Sequence, residues 1–317
     1  MFFKEHKMTK WTNKTGRPYI DTRIWEEYNE ELVVHGEFLL DLDWIRIGWA
    51  EELEAMNKGK RGAPYQFPES LIRLQGVWHQ LVDYREVEGM TRRVVAAAQI
   101  PDFNDYSTIN RRVNKLDLEF EIPENGFVSA STDGSGLKSN NAGEYREQKY
   151  GKTRKKFIKV VITANPYTKD LLDCSVSLEG EGDSEPECAQ KHMQRQIDNG
   201  NVVDKFWGDG SFDVLDLFNF LEKNNIEAAI KIRSNASDNA NGSMRRAREV
   251  AEYKFKGYID WAREKEYGKR WLGTEVIFSA VKRKFGEKIR ARKLQNMFKE
   301  AKRKFWAYQT IRKYATA

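Results

Sequence analysis

Val202-Val203-Asp204-Lys205-Phe206-Trp207-Gly208-Asp209-Gly210-Ser211-Phe212 reads as a β-strand that runs into an Asp-Gly corner. An amphipathic helix from about Asp213 to Lys223 follows at once. Open α/β sheets place their chemistry where a strand's carboxyl end turns into a helix. Upstream, Phe127-Val128-Ser129-Ala130-Ser131-Thr132-Asp133-Gly134-Ser135-Gly136 has the same form, a strand leading to Asp133. A third carboxylate, Glu275, lies on a late helix.

Around these corners the pattern predicts five strands: 127–132, 157–164, 171–178, one ending at Trp207, and 227–232. Asn165-Pro166-Tyr167 reads as the hairpin turn between the second and third. Helices are expected over 184–198 and 213–223, then 243–266, 271–285 and 288–314. The order β-β-β-α-β-α-β-α sets an antiparallel meander beside parallel strands. The fold class is therefore α/β: a ribonuclease-H-like mixed five-stranded sheet flanked by helices, with an all-α N-terminal region. Four stretches follow: an acidic helical segment 1–60, a helical region 61–125, a catalytic domain 126–287, and a basic C-terminal helix 288–317. Within 61–125, three short helices end in one carrying Arg111, Arg112 and Lys115 on its exposed side, an order compatible with a helix-turn-helix.

The 317 residues are 32% charged and 40% hydrophobic, a soluble globular composition. No apolar run approaches the roughly 20 residues that span a bilayer, and the amino terminus has no apolar signal region, so a cytoplasmic site is expected. Two cysteines, Cys174 and Cys188, make no disulfide framework. The net charge of +6 conceals a polarity: residues 243–317 hold 22 basic and 8 acidic groups, while the first 242 hold 32 and 40. A polycationic end suggests a polyanionic partner, with a solvated helical surface as the plain alternative. Ten acids and one base, Arg46, between Glu26 and Glu54 make that segment a poor DNA reader.

If the first and fourth strands are parallel neighbours, Asp133 and Asp209 emerge side by side and repel unless a cation sits between them. Hard oxygen ligands with open positions suit Mg²⁺ or Mn²⁺, two ions per site, better than zinc. Cys188 and His192, at i, i+4, are two ligands without partners and read as ordinary helix residues. Taking Glu275 as zero at about 100° per residue, Trp271, Ile277, Phe278, Val281 and Phe285 fall between roughly 200° and 320°, a buried stripe. Glu275 and Lys282 share its rim, one able to hold a metal and the other a phosphate. Asp173, Asp204, Asp213, Asp216 and Glu287 compete for these roles. Such a site supports in-line displacement at phosphorus, with water as nucleophile for cutting and a 3′-hydroxyl for joining. Gly151-Lys152-Thr153 lacks the first glycine of a phosphate loop, Arg146 standing in its place, which argues against ATP use.

Ser131-Thr132-Asp133-Gly134-Ser135-Gly136, Gly208-Asp209-Gly210-Ser211-Phe212-Asp213 with the strand 226–233, and Glu275-Val276-Ile277-Phe278-Ser279-Ala280-Val281-Lys282-Arg283 resemble the three acidic motifs of the DDE transposases of prokaryotic insertion sequences. Tyr84-Arg85-Glu86-Val87-Glu88-Gly89 and Tyr106-Ser107-Thr108-Ile109-Asn110-Arg111-Arg112 are similar to that family's amino-terminal helices, so the likeness covers about 61–317. Its Tyr-x2-Arg-x3-Glu-x6-Lys signature corresponds to Tyr267, Arg270, Glu275 and Lys282, with one residue more than usual between Arg270 and Glu275. That extra residue is expected to turn Arg270 off the helix face. The resemblance implies excision and insertion of a mobile element through its terminal inverted repeats, by a homo-oligomer on paired DNA ends. It implies phosphate contacts from Lys138, Lys231, Arg233 and the basic helix from Lys288 through Lys304. A nuclease that cuts without joining and a non-catalytic DNA-binding regulator are the competing readings.

Overall fold

The computed structural model describes residues 24–120, 126–139 and 157–316. Gly151-Lys152-Thr153 lies outside them. The sheet is built on β1 (Phe127–Ser139), β2 (Ile158–Ala164), β3 (Leu171–Leu178), β4 (Val202–Gly208) and β5 (Glu227–Ile230) in the order β3-β2-β1-β4-β5. The hairpin pairs β2 with β3 and β1 with β2 antiparallel, whereas β1, β4 and β5 run parallel. A sixth strand, β6 (Lys288–Ile289), stands where the sequence pattern predicts helix and pairs parallel with Lys138 and Ser139 at the far end of β1.

The largest departure from expectation is the length of β1, which does not stop at Thr132. From Phe127 to Ser131 it pairs with β4, and that ladder ends at Ser131↔Trp207, where the ladder to β2 begins at Ser131↔Ala164. Pairing with β2 continues through Asp133↔Ile162 to Leu137↔Ile158. Asp133 is thus a mid-strand residue standing where the β4 neighbour has run out. The glycines at 134 and 136 did not break the strand, because the ladder to β2 supplies their backbone bonds. An extra β4 residue between the Val128↔Val203 and Ala130↔Phe206 pairs forms a bulge, which re-aims the strand just before its acidic corner.

Five helices precede the sheet: α1 (Trp25–Glu37), α2 (Asp43–Asn57), α3 (Glu69–Leu81), α4 (Tyr84–Ala96) and α5 (Tyr106–Val113). Asp83 and Glu86 form a capping box at α4, and Asp105 caps α5. Between β3 and β4 runs α6 (Glu185–Asp198), started by the Ser184–Glu187 capping box. A 3-10 turn (Gly210–Phe212) and α7 (Leu215–Lys223) follow β4. The helix expected over 243–266 is α8 (Met244–Glu264), broken at Gly257, whose φ of 72° no helix contains. The helix expected over 271–285 is two pieces, α9 (Lys269–Gly273) and α10 (Glu275–Phe285), parted at Thr274. The last helix, α11 (Leu294–Thr316), begins later than expected, after β6.

One apolar cluster joins α3, α5, one face of β1 to β3, α10 and α11, with Leu71, Trp78, Ile158, Val160, Ile162, Val281 and Phe305 all buried. A second cluster, containing Phe206, Phe212, Leu217 and Phe218, fills the opposite face under α6 and α7. The two clusters cover opposite faces of the sheet. Among the described residues no helix is long and apolar enough to cross a membrane.

Candidate active site

Asp133 projects from the face of β1 that also carries Ser131. Ser131 is covered by α9 and donates from Oγ to the Arg270 carbonyl at 3.3 Å. One Asp133 oxygen, Oδ1, accepts the Gly134 N–H at 2.8 Å. Asp209 follows the last residue of β4 and starts the 3-10 turn, its Oδ1 accepting from Ser211 N at 2.7 Å and Ser211 Oγ at 2.5 Å. Glu275 opens α10, half-buried, with Ile277, Phe278, Val281 and Phe285 on the covered face as the periodicity predicted. Trp271 is not part of that stripe: it is 51% exposed, because the break at Thr274 puts it on a separate helix.

The same break corrects the expectation for Arg270. Its guanidinium is not turned away; Nη1 stands 3.5 Å from Asp133 Oδ2 and Nη2 3.4 Å from Glu275 Oε1. Both carboxylates are therefore brought within the span of a single guanidinium. Asp209 lies near enough to Asp133 to raise its affinity for a proton, as does Glu185. Burial is the larger cause, and the Asp133 carboxyl is pushed up to about 6, against the opposing pull of the Gly134 N–H and Arg270. Burial also raises Glu275, with Arg270 opposing it. Tyr267 is buried in a cluster with Trp261 and Tyr258, and burial pushes its hydroxyl up to about 12.

Among the described residues, no three His, Cys, Asp or Glu side chains stand close enough to hold a metal ion as they are arranged. The donor chemistry nevertheless fits a hard divalent cation. Asp133, Asp209 and Glu275 offer carboxylate oxygens, two of them in mutual repulsion, and what occupies the space between Asp133 and Glu275 is a monovalent guanidinium. Four of the five competing acids are otherwise engaged, and Asp216 is exposed on the first turn of α7. Asp213 is fully buried and clamped by Arg246, Asp173 faces Arg195, Asp204 accepts from Ser129 Oγ, and Glu287 pairs with Lys138 and Lys282. His192 is a satisfied core residue, bonded through Nδ1 to Thr163 and Nε2 to Ser175, while Cys174 and Cys188 are free and buried.

Beside Asp133 opens a groove of about 460 Å³, lined by Gly134, Lys138, Phe157, Lys159, Glu185 and Lys282 among others. Lys138 and Lys282 line it, and Glu287 holds both, at 3.4 and 3.8 Å. Sequence reasoning missed Glu185 and Lys159. A carboxyl oxygen of Glu185 lies where a side chain at position 134 would begin, and only the fold brings that helix start to Gly134. Lys231 is exposed above the Tyr258 ring. Arg233 is not a free cation: it donates to the Gly210 and Ser211 carbonyls and braces the Asp209 turn. Arg111 is exposed, but Arg112 turns inward, donating to the Phe67 carbonyl and lying 4.9 Å over the Tyr65 ring.

The basic helix also departs from expectation. Arg303 and Lys304 are buried; Arg303 donates to Val113 O and Asn114 Oδ1, and Lys304 to the Phe285 and Gly286 carbonyls. Burial draws Lys304 down to about 8. Arg290 donates to Asp83 and to the His79 carbonyl, and Lys299 to the Asn114 carbonyl. These cations bind helix ends to one another, which leaves Lys288, Arg292 and Lys293 among the exposed ones.

No curated protein matches the chain. A family model described as the transposase DDE domain matches residues 127–309, more than half of the chain, from the first residue of β1 well into α11. The matched stretch contains Asp133, Asp209, Glu275 and the sheet that carries the first two. The chain belongs to the transposase DDE-domain family.

Proposed function

We propose that this protein cuts DNA at the terminal inverted repeats of an insertion sequence and joins the freed 3′ ends to target DNA, with Asp133, Asp209 and Glu275 as ligands of Mg²⁺ or Mn²⁺. The observation that carries the reading is the shared guanidinium: acids from β1 and α10 meet at Arg270, and Asp209 acts on Asp133 through space. Divalent ions, when bound, activate the attacking oxygen and steady the leaving oxygen of an in-line displacement at phosphorus. The chain's own part is to fix its carboxylates in advance. One oxygen of Asp133 and one of Asp209 are each pinned by a backbone N–H, so the second oxygen of each is the one on offer. Lys282 and Lys138 hold the backbone phosphates in the groove, exchanging Glu287 for the DNA. On this reading Lys231, Arg111, Tyr267 and Arg270 are further DNA contacts.

By the same reading residues 61–125 recognise the element ends, 126–287 carry the chemistry, 288–317 tie the two together, and 1–60 take no part in reading DNA. Two copies hold two ends, in the cytoplasm beside the nucleoid. Short inverted repeats flanking the coding region identify the substrate. A supercoiled plasmid bearing them is expected to be nicked with Mg²⁺, and Asp209→Asn to abolish nicking while leaving binding intact. Nicking that survives the substitution removes Asp209 from the mechanism; cutting without joined products assigns a nuclease instead.

A further inference from the structure

Arg270 is more than nine-tenths buried, yet its Nε has no hydrogen-bond partner. Its two contacts with Asp133 and Glu275, at 3.5 and 3.4 Å, are longer than the roughly 2.7–2.9 Å of a well-made charge-assisted bond. Arg246 shows what a structural arginine looks like in this fold: it grips Asp213 through two nitrogens at 2.7 and 3.2 Å and spends a third on the Ser237 carbonyl. Arg270 instead rests against rings, 4.8 Å from Trp271 and 5.8 Å from Tyr267. Aromatic faces attract a cation without fixing it to one position. Carboxylates gathered in a poorly solvated cleft need a countercharge. A guanidinium supplies one positive charge where a divalent ion supplies two, and the two compete for the same carboxylate oxygens.

We propose that Arg270 is a resident stand-in for the divalent cation: it occupies the space between Asp133 and Glu275 in the free protein and is expelled when metal binds. Loading of metal and release of this guanidinium are then one event. The break between α9 and α10 at Thr274 gives Arg270 a frame separate from Glu275, so it can leave without moving that ligand. The proposal rests on the three acids being metal ligands, and its test keeps the two apart.

Mn²⁺ binding to the full chain without DNA is measured from the electron paramagnetic resonance of free Mn²⁺, for the wild type, Asp209→Asn and Arg270→Met. Asp209→Asn is expected to weaken binding and Arg270→Met to tighten it about tenfold, since a competing positive charge has gone. Equal affinity in wild type and Arg270→Met, with binding lost in Asp209→Asn, overturns the stand-in and leaves the ligand assignment untouched. Binding indifferent to Asp209→Asn overturns both. Should Arg270→Met fail to fold, tryptophan fluorescence answers without it. Titration with Mg²⁺ is expected to change the part of the tryptophan fluorescence that Trp271→Phe removes, and a Trp271 signal flat through saturation overturns the proposal.

Discussion

Asp133 carries the most unusual electrostatics in the site, and its behaviour with pH follows from them. Its folded-state pKa, about 6, lies above the ordinary aspartate value because burial penalises the charged form. A raised acid pKa means the folded state holds its proton more tightly. The stability this contributes is complete below the ordinary value and lost as pH rises through about 6. In EDTA the melting temperature is therefore expected to fall between pH 4 and 7 by a component that Asp133→Asn removes; identical profiles for the two proteins would count against it. Mn²⁺ affinity is expected to climb across the same window, since a ligand must shed its proton first. Glu287 makes a second test at this scale. It neutralises Lys138 and Lys282, so Glu287→Gln is expected to tighten DNA binding a few-fold at low salt and steepen its salt dependence. Titrations at two ionic strengths check this.

At the scale of elements, the site depends on how closely α9 lies on the sheet. A Cβ at Gly273 would meet Ser131 Cβ at 2.9 Å and Pro166 Cα at 3.4 Å, neither of them at the end of a flexible side chain. Gly273→Ala is expected to cost about 1–3 kcal/mol by overpacking, read by denaturant titration. It is also expected to lift Arg270 off Asp133 and alter Mn²⁺ binding. A variant with unchanged stability would show that α9 has slack. The bulge in β4 works in the same direction on the other acid, since it sets where Asp209 leaves the strand. Both devices act through backbone packing that no side-chain motif records.

Across the whole molecule, one apolar cluster runs from the amino-terminal helices through a face of the sheet to α11. Arg303 and Lys304 add buried polar ties along the same path. A continuous core predicts that these regions unfold together. Phe305, fully buried and edge-on to Phe278 at 5.5 Å, is the point to test. Phe305→Ala is expected to cost about 3–5 kcal/mol and to shift a single transition seen alike by near- and far-ultraviolet circular dichroism. Two separated transitions would mean the helices at 69–113 are held independently.

Local pattern by itself determined the strand–turn–helix corner at Asp209, the β2–β3 hairpin, the capped start of α6 and the apolar stripe of α10, because each is written in residues that are neighbours in the chain. Asp209 and Glu275 could be named for the same reason, one at a strand end and one on a helix rim, whereas the Asp-Gly pair at Asp133 reads as a strand end and stands mid-strand. Tertiary structure alone decided that β1 runs on through Asp133, since its partner β2 lies beyond a long connection. It alone placed Arg270 between two carboxylates, because a helix break is invisible to a period that assumes continuity. And it alone turned the carboxyl-terminal cations inward, for a lysine's charge is the same in any sequence while its solvation depends on what packs over it.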